Sequence, residues 1–136
     1  MRADSATETA VIASLRQFSS GFTQRNIDQI QSAFATDPDI SLIGTGADEK
    51  RIGWEGIRVL MERDWAQSDS ASMEIGQYSV SVAGTVAWVI ADVRVTAKAG
   101  IENIDLALRG TAVLDNQAGN WRIQQFHLSA PIQPGF

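Results

Sequence analysis

The stretch RGTAVLDNQAGNWRIQQFHLSAP, Arg109 to Pro131, decides the fold. Its first half belongs to the segment IDLALRGTAVLD and its second half is NWRIQQFHLS; both show the period-two patterning of a strand. Between them DNQAGN collects Asp, Asn and Gly, residues that tolerate the backbone of a tight turn. The pair predicts an antiparallel hairpin near the C-terminus. In the second strand Trp121, Ile123, Gln125, His127 and Ser129 alternate onto one face, apolar at the start and polar at the end. A strand that only fills a core has no reason to turn polar halfway, whereas one lining a pocket open at one end does. This strand also carries the single histidine of the chain, His127.

Working outward, MEIGQYSVSVAG and TVAWVIADVRVTAKA precede the hairpin as two further long strands, joined by short Gly-containing turns. Upstream the periodicity changes. Val11, Leu15, Phe18 and Phe22 recur at helical spacing behind the capping-box sequence SATE, Ser5 to Glu8. NIDQIQSAF is a short second helix capped by Asn26, with Pro38 beyond its end, where proline disfavours helix in the residue before it. ISLIGTG and ADEKRI predict a short strand, a turn and a returning strand, and GWEGIRVLMERDWAQS a third helix carrying Ile57, Leu60, Met61, Asp64 and Trp65 on one stripe. Helices first and strands later give an α+β fold, with the helices on one face of a curved antiparallel sheet. The strand TVAWVIADVRVTAKA is apolar on both faces: Val89, Ala91, Val93 and Val95 on one, Val86, Trp88 and Ile90 on the other. A sheet with one wet face should alternate cleanly, so the second face is expected to be covered, most simply by another copy of the chain.

The 136 residues fit one domain, 1–136, with enough length for a core without staples. There is no cysteine, hence no disulfide and no thiolate nucleophile or ligand. With one histidine and scattered carboxylates, no metal is expected. Eleven basic and sixteen acidic residues give a formal net charge of −5 without a basic face, which argues against nucleic acid. No apolar run has membrane-spanning length, and MRADSATETAVIASL lacks a signal-peptide core because Ser, Thr and Glu interrupt it, so the expected location is cytoplasmic, with no membrane partner. GTGADE invites comparison with a phosphate loop, but it lacks the Lys-Ser/Thr that follows one, and Asp48 and Glu49 would repel a phosphate; a hairpin turn is expected there. No nucleophile-elbow motif supports a Ser-His-Asp triad.

The order of elements resembles the SnoaL-like families of the nuclear transport factor 2-like superfamily, the cone-shaped, cystatin-like α+β fold shared with ketosteroid isomerase. Ser41 to Ile57, SLIGTGADEKRIGWEGI, is similar to the early strand pair leading into the third helix, and Arg109 to Pro131 to the closing hairpin. IADVRVT and FHLSAP also resemble the association domain of calcium/calmodulin-dependent protein kinase, which forms large rings and has a polar pocket containing arginine and histidine. This second resemblance implies that Arg94 and His127 meet in a pocket; a second pocket arginine falls on Ala112 here and is not reproduced, whereas Arg109 fits the broader SnoaL-like pattern. The fold hosts isomerases, cyclases, hydrolases, dehydratases and assembly domains, so the resemblance speaks to fold more than to function.

The expected ligand-binding residues are therefore Trp88, Arg94, Arg109 and His127, with Asp92 and His127 as candidates for acid–base work. A histidine can serve near neutral pH as acid, base or anion contact. Asp92 and Arg94 share a strand face with Trp88, and pairing of the two is favoured over catalysis by Asp92. Asp64 lies on the inward stripe of the third helix, where it either faces the mouth of the cone or pairs at the surface with Arg63. Tyr78 has Val80 and Val82 as alternation partners, which suggests ordinary packing. The favoured function is a small-molecule-binding domain with a pocket of mixed apolar and Arg/His character, a small carboxylate being the anticipated ligand. The alternatives are a cofactor-independent enzyme of isomerase, cyclase or dehydratase type, or an oligomeric assembly module. No cofactor is expected, and a homodimer or larger homo-oligomer is.

Overall fold

A computed structural model describes residues 1–134. Helix α1 spans Ser5–Gln24 and presents Val11, Ile12, Leu15, Phe18 and Phe22 to the interior. Its cap lies one residue earlier than the capping box implied: Asp4 has an extended backbone, and its carboxylate accepts from the Thr7 N–H at 2.8 Å. Helix α2, Ile27–Ala33, is capped by Asn26, whose side chain accepts from the Gln29 N–H. Gly21 lets α2 come close, since a Cβ there would lie 2.9 Å from Ile30 Cγ1. Strands β1 (Ser41–Ile43) and β2 (Lys50–Ile52) form a short antiparallel pair before helix α3, Trp54–Ala66.

The long strands are β3 (Ser70–Ala83), β4 (Val86–Ala99), β5 (Glu102–Gln117) and β6 (Asn120–Ser129). They form an antiparallel meander, and β1 joins it parallel to β6, giving the order β2-β1-β6-β5-β4-β3. The β5–β6 turn holds both Ala118 and Gly119 at positive φ, the backbone that suits the twist of a two-residue hairpin. Residues 1–3 extend the outer edge: Ala3 N–H donates to the Val80 carbonyl and Val82 N–H to that of Met1. The helices cover one face of the sheet, where Phe18 packs on Phe126 with ring centroids 5.1 Å apart.

The predicted single face from Trp121 to Ser129 does not form. Val113 is paired with Gln125 but Leu114 with Ile123, so Gln124 is an extra residue, a bulge in β6. Because side chains alternate with period two, one extra residue exchanges the faces. Trp121 and Ile123 pack against the core, as do Phe126 and Leu128 after the bulge. His127, between those two, is exposed on the opposite face. In β4 the two apolar faces separate as expected: Ala87, Val89, Ala91 and Val93 are buried under the helices. Val86, Trp88 and Ile90 point the other way and are 39%, 38% and 62% exposed.

The bulge assignment has a direct test. Phe126 is 2% exposed, so Phe126→Ala should cost about 3–5 kcal/mol. His127→Ala, one residue further on, should change stability by no more than about 0.5 kcal/mol. Urea unfolding of the two variants measures both; similar costs would show that the faces are misassigned.

Candidate functional site

A cavity of about 130 Å³ lies between the sheet and the helices. Phe18 and Phe22 of α1, Leu60 and Met61 of α3, Leu42 of β1, and Met73, Val95, Leu106, Leu108 and Leu128 of the long strands wall it. The β1–β2 loop closes one side through Gly44, Thr45 and Glu49. Two ionisable side chains reach this lining, Glu49 and Asp64.

The packing of α3 places Asp64 there. Ile57, Leu60, Met61 and Trp65 are buried, which fixes the rotation of the helix and puts position 64 at the flank of the apolar stripe. Trp65 locks it further by donating its indole N–H to the Phe22 carbonyl at 3.1 Å. The Asp64 carboxylate, its side chain 32% exposed, accepts no hydrogen bond from the described residues; its nearest cation is Arg63, with Nε 4.0 Å from Oδ1. Arg63 instead directs its terminal nitrogens at the loop, Nη1 to Asp48 and Nη2 to Glu49, the latter at 3.5 Å. Its Nε is buried without a partner. Loss of hydration, and after it repulsion from Glu49, push the Asp64 pKa up to about 6, against the opposing pull of Arg63 and Arg51. The two positions the sequence left open for Asp64 are both partly met: it lines the cavity, and it stays within ion-pair distance of Arg63 with its side chain partly exposed.

Glu49 is held by its own loop. The Gly46 N–H donates to Oε1 at 2.8 Å, and a Cβ on Gly44 would lie 2.5 Å from that oxygen, so glycine at 44 leaves the carboxylate its space. GTGADE is therefore a turn wrapped around a carboxylate.

The residues expected from the sequence lie on the other face of the sheet. Arg94 does not pair with Asp92; it grips Asp105 on β5 with Nε at 2.8 Å and with Nη2. Asp92 stands opposite Arg109 in the β4–β5 register, and no ion pair joins them among the described residues. His127 is opposite Thr111, and Arg94 opposite Ala107, four residues away along β5 with that strand between them. At ~3.4 Å per residue and ~4.8 Å per strand, the two backbones are about 17 Å apart, so the expected meeting of Arg94 and His127 is not seen. Arg109 links two shallow depressions, one with Asp92, Arg94 and Asp105, the other with Ile90, Thr111, His127 and Ser129. Trp88, opposite Val113, lines neither.

Residues 11–133 match the SnoaL-like domain. The chain belongs to the SnoaL-like family. Solved structures with its nuclear transport factor 2-like fold agree. One is a superfamily protein from Salmonella enterica serovar Typhimurium, at 17% identity and TM-score 0.86, with 98% of this chain and 96% of that one covered. Another is a proposed aromatic ring hydroxylase from Novosphingobium aromaticivorans, at 12% identity and TM-score 0.86, covering 97% and 94%. A third is a proposed calcium/calmodulin-dependent protein kinase II association domain from Xanthomonas campestris, at 21% identity and TM-score 0.77, covering 98% and 91%. At these identities the likeness concerns the fold. No curated protein sequence matches significantly. Among the described residues of this SnoaL-like chain, no helix is long and apolar enough to cross a membrane, and no group of three or more His, Cys, Asp or Glu side chains is placed to hold a metal.

The raised Asp64 pKa makes a stability prediction. Its folded value, about 6, exceeds the ~3.9 of an unfolded aspartate, so the fold binds the proton more tightly. Below pH ~4 the carboxyl is neutral in both states; as pH rises towards 6 and beyond, ionisation increasingly opposes folding. Asp64→Asn should raise Tm at pH 8 and leave it nearly unchanged at pH 4. An equal shift at both values in differential scanning calorimetry would contradict the raised Asp64 pKa.

Proposed function

We propose that this SnoaL-like domain binds a small, mostly apolar molecule in the cavity beside α3, with Asp64 as the group that exchanges a proton with it. The observation that carries this reading is a carboxyl without a hydrogen-bond partner at the wall of an apolar cavity. Its pKa of about 6 suits both proton uptake and release near neutral pH. The volume of about 130 Å³ is close to the roughly 150 Å³ of an apolar cavity that takes up benzene, so a single ring is the fitting size. Glu49 supports the role by repelling a second negative charge and keeping Asp64 partly protonated. Thr45 supplies a hydroxyl at the same wall. If the bound molecule carries an acidic C–H or O–H, ionised Asp64 accepts that proton and returns it elsewhere, the cofactor-independent chemistry considered above. Leu106 is the residue to test with, because it lines the cavity yet is 39% exposed. Leu106→Trp should weaken binding of single-ring compounds at least tenfold in calorimetry while the protein stays folded; undiminished binding would place them elsewhere.

A second reading keeps the anion site on the open face. Arg109 supports it, having no carboxylate within ion-pair distance among the described residues and sharing a depression with His127. A small carboxylate would be held there by the guanidinium and the imidazole, and Arg109→Ala would abolish that binding without affecting the cavity.

We also propose that the domain assembles with a second copy through this face. Val86, Trp88 and Ile90 form an apolar row that the helices do not cover, and burying apolar surface returns roughly 25 cal/mol per Å². Light scattering at micromolar concentration should give at least a dimer mass, and Ile90→Lys should shift it towards monomer; a wild-type monomer would sink the proposal.

A further inference from the structure

Building on the cavity reading, we infer that its preferred occupant is a cation, an amine of about single-ring size whose ammonium group sits against Asp64. The walls contributed by α1 and by the long strands are apolar, from Phe22 to Leu108. All polarity is therefore concentrated where α3 meets the β1–β2 loop. The charges gathered there are the carboxylates Asp48, Glu49 and Asp64 and the guanidiniums Arg51 and Arg63, which leaves one negative charge uncompensated when all are ionised.

Neither guanidinium lines the cavity. Arg63 spends its terminal nitrogens on Asp48 and Glu49, and Arg51 donates to the Asp48 carbonyl at 3.3 Å and the Gly56 carbonyl at 3.4 Å. A carboxylate ligand would thus enter an apolar cavity to meet two carboxylates. A neutral ligand would leave Asp64 and Glu49 repelling each other. An ammonium group removes that repulsion and offers three donors to a carboxylate that accepts no side-chain hydrogen bond from the described residues, as charge-assisted hydrogen bonds. The ring would occupy the apolar part of the cavity and the charge its carboxylate-lined wall.

The linkage follows from Asp64. An ordinary alkyl amine remains protonated between pH 5 and 7.5, so the change in affinity over that range reports the carboxyl. With a pKa of about 6, roughly one-tenth of Asp64 is ionised at pH 5 and nearly all at pH 7.5. Amine affinity should therefore rise about tenfold across this interval, with a proton released on binding near pH 6.

Benzylamine, benzyl alcohol and benzoate form a series of one ring and three charges, to be titrated calorimetrically into the wild-type protein, Asp64→Asn, Glu49→Gln and Leu106→Trp at pH 5 and pH 7.5. The expected result is that benzylamine binds best at pH 7.5 and loses about tenfold at pH 5, while the alcohol binds weakly and independently of pH. Asp64→Asn should abolish the amine preference and its pH dependence; Glu49→Gln should reduce the preference. If the alcohol or benzoate binds as well as benzylamine at pH 7.5, and Leu106→Trp blocks that binding, the cation inference is overturned and the cavity reading stands. If benzylamine binding survives Leu106→Trp unchanged, or if none of the three compounds binds, the cavity reading falls and this inference with it.

Discussion

The hydrogen bond from the Trp65 indole to the Phe22 carbonyl, 3.1 Å long, ties α3 to the end of α1 and sets the rotation on which the site depends. The Arg25 guanidinium closes the same joint from outside, donating to the Trp65 and Ser68 carbonyls at 2.8 and 2.9 Å. Arg25 can do so because it ends α1 in a left-handed conformation, which turns the chain sharply towards α2. With α3 held at this angle, Leu60 and Met61 point into the cone and Asp64 must follow at its edge. A helix free to roll by one residue, about 100°, would carry that carboxylate away from the cavity.

The electrostatics of the cavity wall are a contest that burial wins. Arg63 is adjacent to Asp64 in sequence, and a close ion pair would lower the carboxyl pKa. The shorter contacts of Arg63 go instead to Asp48 and Glu49, leaving 4.0 Å to Asp64. Loss of hydration and repulsion from Glu49 then outweigh the attraction. The β1–β2 loop thus has two effects: it walls the cavity, and by occupying Arg63 it leaves the Asp64 titration centred at about pH 6. Gly44 belongs to the same arrangement, since a side chain at that position would collide with the Glu49 carboxylate.

The fold was legible because its signals are local and repeated. Helical spacing from Val11 to Phe22, the turn at DNQAGN and the two-sided apolar character of Val86 to Val95 each reappear as α1, the β5–β6 hairpin and β4. The candidate site was less so. Asp64 stood out in sequence as a charge on an apolar stripe, but how closely it pairs with Arg63 depends on a loop 15 residues upstream of that arginine. Glu49 could not be recognised as part of the same wall, because its position comes from the β1–β2 turn folding back over α3. Arg94 and His127 were brought together only by resemblance, and the strand register sets them apart.

By itself the sequence determined the layering: helices on one face of a meander, two apolar sides to β4, and the absence of cysteine chemistry. Periodicity suffices for this, because each element must bury its own apolar face somewhere. Tertiary structure alone decided which polar groups share a cavity. The bulge at Gln124 shows why. One unpaired residue in β6 exchanged the faces of everything after it, sending His127 outward and Phe126 onto Phe18. The apolar residues Trp121, Ile123, Phe126 and Leu128 change phase within the strand, but only the pairing of β6 with β5 beneath α1 places the extra residue at Gln124 and so turns His127 away from the core.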